Sequence, residues 1–424
     1  MEEELMKRHF AAIFVCMAVL LASFTGCYSP QENAPSVPTA PTQAAQTESG
    51  SSAEEPVEIK TYPLPEENVQ ADRIYAPSPS TGGFWTFAVF NASSIQAYDP
   101  VTRTSYIPCY QAGCKHNDES CTAYFGKEIT ALAEYRGNFY AMICYNDDTA
   151  SALVTRPVSG GPLEVLARWE PENENEVRRC GLYGLSFGKA YLTVAKETFA
   201  MEDGQEELAD EEYSDCYLDL ETGELVEYMA DEDGYLPYMH GVWGDVAVFQ
   251  DWYADRPDGT PVKRDGSEDY NFRLYSKNLR TGEEKTIVDV TENFIWTADP
   301  HVSWGQYTVY QVDRSLYVYD LEEQAKRKLF TYERDWGFYN YQIMDGHVIA
   351  ICGTEDTCRA WAVDIADGSV IELDTRGGNV VAFGANYECN GYFAGLKRNS
   401  SGDFEQCYIS KEDYYRSNYD AAFR

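Results

Sequence analysis

One pattern recurs seven times along this chain and limits what it can fold into. A short alternating strand ends on a polar or charged residue, a turn follows, and a second strand leaves. Ser94-Ile95-Gln96-Ala97-Tyr98-Asp99 leads into Pro100-Val101-Thr102-Arg103, and Ser315-Leu316-Tyr317-Val318-Tyr319-Asp320 leads into Leu321-Glu322-Glu323. The seven closing residues are Asp99, Arg156, Asp219, Asn278, Asp320, Asp364 and Ser410, at intervals of 57, 63, 59, 42, 44 and 46. A further strand precedes most of them, as at 138–144, 190–195, 246–252, 307–312 and 347–352. An isolated hairpin is marginal in water, and a unit of about 50 residues made of strands buries its apolar faces only against its neighbours. The expected fold is therefore all-β: a β-propeller of about seven four-stranded blades, with six or eight as the neighbouring counts, over residues 58–424. A pair of β-sandwiches or a solenoid is the competing arrangement, and the even spacing favours the closed ring.

Composition agrees with a solvated β protein. The chain has 33 Tyr, and aromatics make up 14% of it, which favours strands. Lys+Arg 33 against Asp+Glu 70 gives a formal charge of −37, a surface that repels phosphate backbones. No nucleic-acid partner is expected. Two acidic stretches interrupt the repeat, at 201–215 and 253–271, and read as solvated loops or hairpin tips. Within the second, Asp265-Gly266-Ser267-Glu268-Asp269 carries carboxylates of the kind that wrap Ca²⁺, without the spacing of a calcium loop, so a solvated turn is expected.

The beginning of the chain has a different character. Lys7 and Arg8 precede an uncharged run over 10–24, which is too short to span a bilayer and fits the core of a secretory signal. Leu21-Ala22-Ser23-Phe24-Thr25-Gly26-Cys27 resembles the lipobox of bacterial lipoproteins. The resemblance implies a signal peptide over 1–26, cleavage before Cys27, and a lipid (palmitate among its acyl chains) on the Cys27 thiol. The match is imperfect at Phe24, bulkier than the usual aliphatic residue. Glu2, Glu3 and Glu4 put acid where such signals are basic, so translation is expected to start at Met6. Residues 27–57 are rich in Pro, Ser, Thr, Ala and Gln and read as a disordered tether reaching about 30 Å. The expected location is the extracytoplasmic face of a cell membrane, held by the N-terminal lipid.

The sharpest chemical signal is a loop at 109–121, in which Cys109, Cys114, His116 and Cys121 follow the spacing C-x4-C-x-H-x4-C. Three sulfurs and an imidazole are a complete tetrahedral set for Zn²⁺, and iron or copper accept the same donors. Gly113 permits the tight turn such a loop needs. A closed four-ligand set is structural and would pin the loop between the first two blades. The competing readings are one disulfide with a leftover thiol, which an exported protein can form, and reduced thiols that only pack. Residues 107–124, together with Ile409-Ser410-Lys411-Glu412-Asp413-Tyr414-Tyr415, are similar to segments of uncharacterised propeller-like lipoproteins of Firmicutes, especially gut Clostridia. That resemblance implies architecture and location, and names no activity.

Other signals are weaker. Cys144, Cys216 and Cys407 lie in strand patterns and read as buried small hydrophobes, and Cys352 and Cys358 flank a turn and are candidates for a cross-link or for free thiols. Gly184-Leu185-Ser186-Phe187-Gly188 matches the serine-hydrolase elbow, but a strand follows it where that elbow needs a helix, so Ser186 reads as a blade-entry turn. His240, His301 and His347 stand apart from one another. No catalytic residues are picked out. The favoured function is an anchored binding or scaffolding module for a protein, peptide or glycan ligand, with Trp252, Tyr253, Trp296, Trp304, Trp336 and Tyr339 as candidates to stack on sugars. The alternative is a propeller hydrolase or lyase acting on cell-surface glycan or peptide, which would need carboxylates or histidines converging at one mouth of the ring.

Overall fold

A computed structural model describes Lys60, Tyr62 and most of residues 67–423, with short internal segments left out. The signal segment, Cys27 and the tether lie outside the described residues, as do Asp265–Asp269, Trp296, His301, Trp336 and the side chain of Tyr339. The chain divides into two compact units, residues 1–60 and Thr61–Arg424. No helix among the described residues is long and apolar enough to cross a membrane.

The second unit is a β-propeller. Among the described residues its strands form seven antiparallel sheets that follow one another along the chain. Blade 1 is Phe87–Phe90, Ser94–Asp99 and Thr104–Tyr106. Blade 2 is Glu128–Tyr135, Asn138–Tyr145, Ala150–Pro157 and Glu164–Trp169. Blade 3 is Glu176–Ser186, Lys189–Glu202, Gln205–Asp219 and Leu225–Ala230. Blade 4 is Tyr238–Trp243, Val246–Asp251, Arg273–Asn278 and Glu284–Val288. Blade 5 builds on Tyr307–Val312, Ser315–Asp320 and Ala325–Thr331, with the short Phe294–Ile295 and Ser303–Trp304 beside the first of these. Blade 6 is Phe338–Met344, His347–Gly353, Cys358–Asp364 and Val370–Leu373, and blade 7 is Phe383–Cys389, Tyr392–Arg398 and Phe404–Ser410.

The seven residues that mark the sequence repeat fall at or next to the end of one strand in each sheet, so the seven-blade expectation holds. The structure supplies the reason for the residue type. The side-chain oxygens of Asp219, Asn278, Asp320 and Asp364 each accept from the backbone N–H groups two and three residues on, at 2.7–3.2 Å. Short Asp and Asn side chains are suited to this turn. The next residue then donates its N–H to the neighbouring hairpin: Leu220 to Gly188, Leu279 to Asp245, Leu321 to Gln306, Ile365 to Gly346 and Lys411 to Gly391.

Apolar packing lies between blades. One cluster joins blades 1 and 2 through Ile95, Phe125, Ile129 and Phe139, and another joins blades 2 and 3 through Met142, Leu153, Leu182 and Leu192. Others join blades 3 and 4, 4 and 5, and 5 and 6. The ring closes where Tyr98 of blade 1 stacks on Tyr408 of blade 7 at 4.4 Å, and Arg103 covers the Phe423 ring at 3.9 Å.

The acidic stretch at 201–215 proves to be paired backbone. It continues the two middle strands of blade 3 out to Glu202 opposite Gln205.

The described residues between Tyr62 and Arg73 meet several blades. Asn68–Gln70 pairs with the first strand of blade 3 and Asp72–Arg73 with the first strand of blade 2. The Asn68 side-chain amide donates to the carbonyls of Val242 at 3.0 Å and Gly305 at 2.8 Å, in blades 4 and 5. Tyr62 reaches blade 6, its N–H donating to Asp345 at 3.0 Å and its hydroxyl to Asp364. A short segment touching the first strands or first turns of five blades lies at their common centre, so the chain's own residues line the inner-turn mouth of the ring. Sequence periodicity gave no sign of this.

Candidate metal centre

The loop at 109–121 is an insertion in the outer edge of blade 1. Thr104–Tyr106 pairs with one end of Ser94–Asp99, and Tyr124 bridges back to Ser94 at the other end. Between these pairings the chain leaves the sheet and folds on itself. The N–H of Cys114 donates to Gln111 O at 3.3 Å, and that of Cys121 to Asp118 O at 2.9 Å, making two turns. The Thr122 hydroxyl donates to Pro108 O at 2.8 Å and ties the two ends together. Gly113 takes φ +74° and His116 φ +59°. The left-handed region is uncommon for a residue with a side chain, though histidine visits it more than most.

These turns bring all four predicted ligands together. One ligand atom each from Cys109, Cys114, His116 and Cys121 lies within 4.8 Å of the others. His116 Nδ1 stands 3.3 Å from Cys121 Sγ, and the N–H groups of His116 and Ala123 point at Cys114 Sγ and Cys121 Sγ, each at 3.4 Å. A tetrahedral ion with Zn–S of about 2.3 Å holds its ligands roughly 3.5–3.8 Å apart. Closing from 4.8 Å asks for movements of about an ångström. The three cysteines are unbridged, which leaves all three sulfurs free for such an ion.

The sulfurs are not equivalent. Burial pushes the Cys109 thiol up, but the N–H groups of Gln111 and Thr122 and the Cys114 thiol outweigh it and bring its pKa down to about 6. Cys121 is fully buried. Burial, with the Cys109 and Cys114 thiols beside it, pushes Cys121 up to about 12 against the Ala123 N–H. One thiolate forms readily, and further ones gather in this space only against a cation.

A residue that the sequence marked only as a repeat position lies beneath the loop. Arg156 is 1% exposed. Its Nη1 donates to the carbonyls of Cys121 at 2.5 Å and Tyr124 at 3.1 Å. Burial lowers its pKa, and the negative charges of Cys121, Cys109 and Glu119 oppose that.

A second polar cluster sits where blade 6 meets blade 7. Asp345 accepts from Lys411 Nζ at 2.7 Å, from the Tyr415 hydroxyl at 3.1 Å and from Tyr62 N–H. Glu388 takes the same ammonium at 2.7 Å and accepts from the Asp345 N–H at 2.5 Å. His347 Nδ1 lies 2.7 Å from Asp345 O and 3.2 Å from the Tyr415 hydroxyl. Burial raises the Glu388 pKa, with Lys411 opposing. Lys411 is itself raised, because Glu388 and Asp345 overcome its own burial penalty. Carboxylates and a histidine thus converge near one mouth of the ring, and the protein's own Lys411, Tyr62 and Tyr415 engage them. Lys411 takes the place that Leu220, Leu279, Leu321 and Ile365 hold in other blades, a departure the sequence could have revealed.

Other predicted residues stay apart. Ser186 is buried and ends the first strand of blade 3, before Phe187 and Gly188 in left-handed conformation and a second strand, as the sequence implied. His240 bonds Gln250 at 2.9 Å and is neutral at pH 7, burial taking its pKa down to about 4 against that bond. Cys216 and Cys407 are buried in strands and Cys144 is half-buried in one. Cys352 and Cys358 are buried on adjacent strands of blade 6. Tyr253 lines a cleft of about 530 Å³ beside blade 4, together with Asp251, Asp255, Arg273, Thr286 and Asp289.

No protein-family model matches the chain, and no curated protein sequence matches it. Solved structures with a similar course of the chain include dipeptidyl peptidase 4 of Porphyromonas gingivalis, at 10% identity over 77% of this chain and 48% of that one, with a TM-score of 0.39. The β-propeller domain of the Trilobed protease from Pyrococcus furiosus aligns at 10% identity over 80% of this chain and 93% of that one, with a TM-score of 0.40. TolB from Acinetobacter baumannii aligns at 11% identity over 75% and 66%, with a TM-score of 0.29. The chain spans about half of the Porphyromonas protein. The sheet pairing and the packing between blades establish the ring independently of these likenesses.

Proposed function

We propose that this protein is a lipid-anchored, extracytoplasmic binding module, a propeller carried on a tether from Cys27, with a structural zinc ion held by Cys109, Cys114, His116 and Cys121. The lipobox-like segment and the resemblance to propeller-like lipoproteins of Firmicutes support the anchor and the location. The observation that carries the binding reading is the cleft beside blade 4, where Tyr253, set edge-on against Tyr235 at 4.7 Å, stands among Asp251, Asp255, Asp289 and Arg273. A tyrosine beside carboxylates, one of them paired to Arg273, suits a glycan, or a peptide carrying basic groups. The carboxylate–histidine cluster between blades 6 and 7 is tied up by internal partners and acts as a fastener of the ring.

Glycan and peptide arrays probed with the mature body test this reading. Binding that Tyr253→Ala weakens is expected, and turnover of a glycan or peptide would establish the hydrolase or lyase alternative in its place. Metal analysis tests the zinc: about one ion per chain is expected in the wild type and none in Cys114→Ser. Sub-stoichiometric metal in both would refute the site.

A further inference from the structure

Arg156 breaks the rule of its own repeat. Four of the equivalent blade positions carry Asp219, Asn278, Asp320 and Asp364, whose side chains shape the turn that follows. Arg156 instead runs inward, toward the packing between blades 1 and 2, with its guanidinium carbon 5.4 Å from the centre of the Phe125 ring. Nη1 is spent on the carbonyls of Cys121 and Tyr124. Nε and Nη2 are buried and meet no hydrogen-bond acceptor among the described residues. None of the ion pairs among those residues includes it. A buried guanidinium held by neutral carbonyls and a ring face, with only the exposed Glu119 as a nearby carboxylate, is disfavoured, because it gives up hydration for little counter-charge.

The counter-charge can come from the adjoining loop. Three thiolates and a neutral imidazole around a divalent ion sum to one negative charge, which cancels Arg156. A disulfide that uses Cys109 sums to zero and leaves only the exposed Glu119 to offset the guanidinium. A monovalent ion in the same donors leaves one negative charge in excess, and a trivalent ion leaves the arginine unbalanced.

We propose that Arg156 is the counter-ion of the cysteine–histidine centre, so that the site is matched in charge to a divalent, thiophilic metal and its loading is coupled to the seam between blades 1 and 2. Arg156 acts here as a positioning residue. Its Nη1 bonds fix the backbone on the C-terminal side of Cys121, and Gly160, in the turn after Arg156, packs so closely on Thr122 that an added Cβ would stand 2.7 Å from its methyl group. This inference rests on the metal reading above.

The experiment is chelator competition for Zn²⁺ on the full mature chain, with Co²⁺ absorption to report the ligand set, for wild type, Arg156→Lys, Arg156→Met and Cys114→Ser. Arg156→Met is expected to bind Zn²⁺ about 10–100-fold more weakly than wild type, the usual scale for groups that support metal ligands, with the cobalt bands of three thiolates retained. Arg156→Lys, which keeps the charge, is expected to stay within a few-fold of wild type. Should Arg156→Met fold poorly, Arg156→Met in the Cys114→Ser background decides: with no centre to balance, only the two Nη1 bonds are lost, and the melting temperature should fall less than it does when the centre is intact. Wild-type affinity in Arg156→Met, or equal destabilisation with and without the centre, overturns this inference and leaves the metal site standing. A wild type that binds no metal overturns both.

Discussion

Asp215 offers a measurable test of how the interior of blade 3 is built. It is 0% exposed, with one carboxylate oxygen 2.5 Å from the Thr193 hydroxyl and the other without a hydrogen-bond partner. Burial pushes its pKa from 3.8 up to about 7, with the Thr193 bond opposing. The folded state therefore holds a proton that the unfolded chain has released, between about pH 4 and pH 7. Stability falls as pH rises through that window, and above it the full penalty is present. A shift of roughly three units corresponds to about 4 kcal/mol, an upper bound since the interior relaxes around the charge. Asp215→Asn removes the ionisation and keeps an acceptor for Thr193. Urea denaturation at pH 4.5, 6 and 8 should show the variant within about 1 kcal/mol of wild type at pH 4.5 and more stable by about 2–4 kcal/mol at pH 8. An advantage that is the same at all three pH values would refute the reasoning, because a packing effect does not titrate.

Lys411→Met leaves Asp345 and Glu388 buried without their cation and should cost about 3–5 kcal/mol in the same assay; a loss below about 1 kcal/mol would show that the fastener contributes little. Gly346 has φ +66°, and a Cβ there would stand 2.3 Å from the Tyr62 ring, whereas Gly282 has φ +75° and open space around it. Gly282→Ala should therefore cost about 1–2 kcal/mol through backbone strain alone. Gly346→Ala should cost more and also displace Tyr62, which proteolysis between residues 60 and 67 would report as faster cleavage.

Much of this architecture was readable in the chain. Strand alternation and the polar residue that ends one strand of each blade are local properties, since a turn after Asp219 or Asp320 is made by that residue and the next three. The cysteine–histidine cluster at 109–121 was readable for the same reason, as its four side chains sit within thirteen residues. The tie between Asp345, Glu388 and Lys411 was not, because its members come from three strand ends of two blades. Nor was the path of Tyr62 to Arg73, since Asn68 finds Val242 and Gly305 only after the blades have closed around it.

The sequence by itself determined a repeat of about seven units, the turn that ends most of them and a cysteine–histidine set that could hold a metal, because each depends on neighbours within a few residues. Only the tertiary structure decided which of those parts meet. It set Lys411 between two carboxylates, ran the chain's own segment across the inner-turn mouth of the ring, and put an arginine without a carboxylate partner beneath three cysteines. Burial and charge pairing between distant residues exist only once the ring is closed.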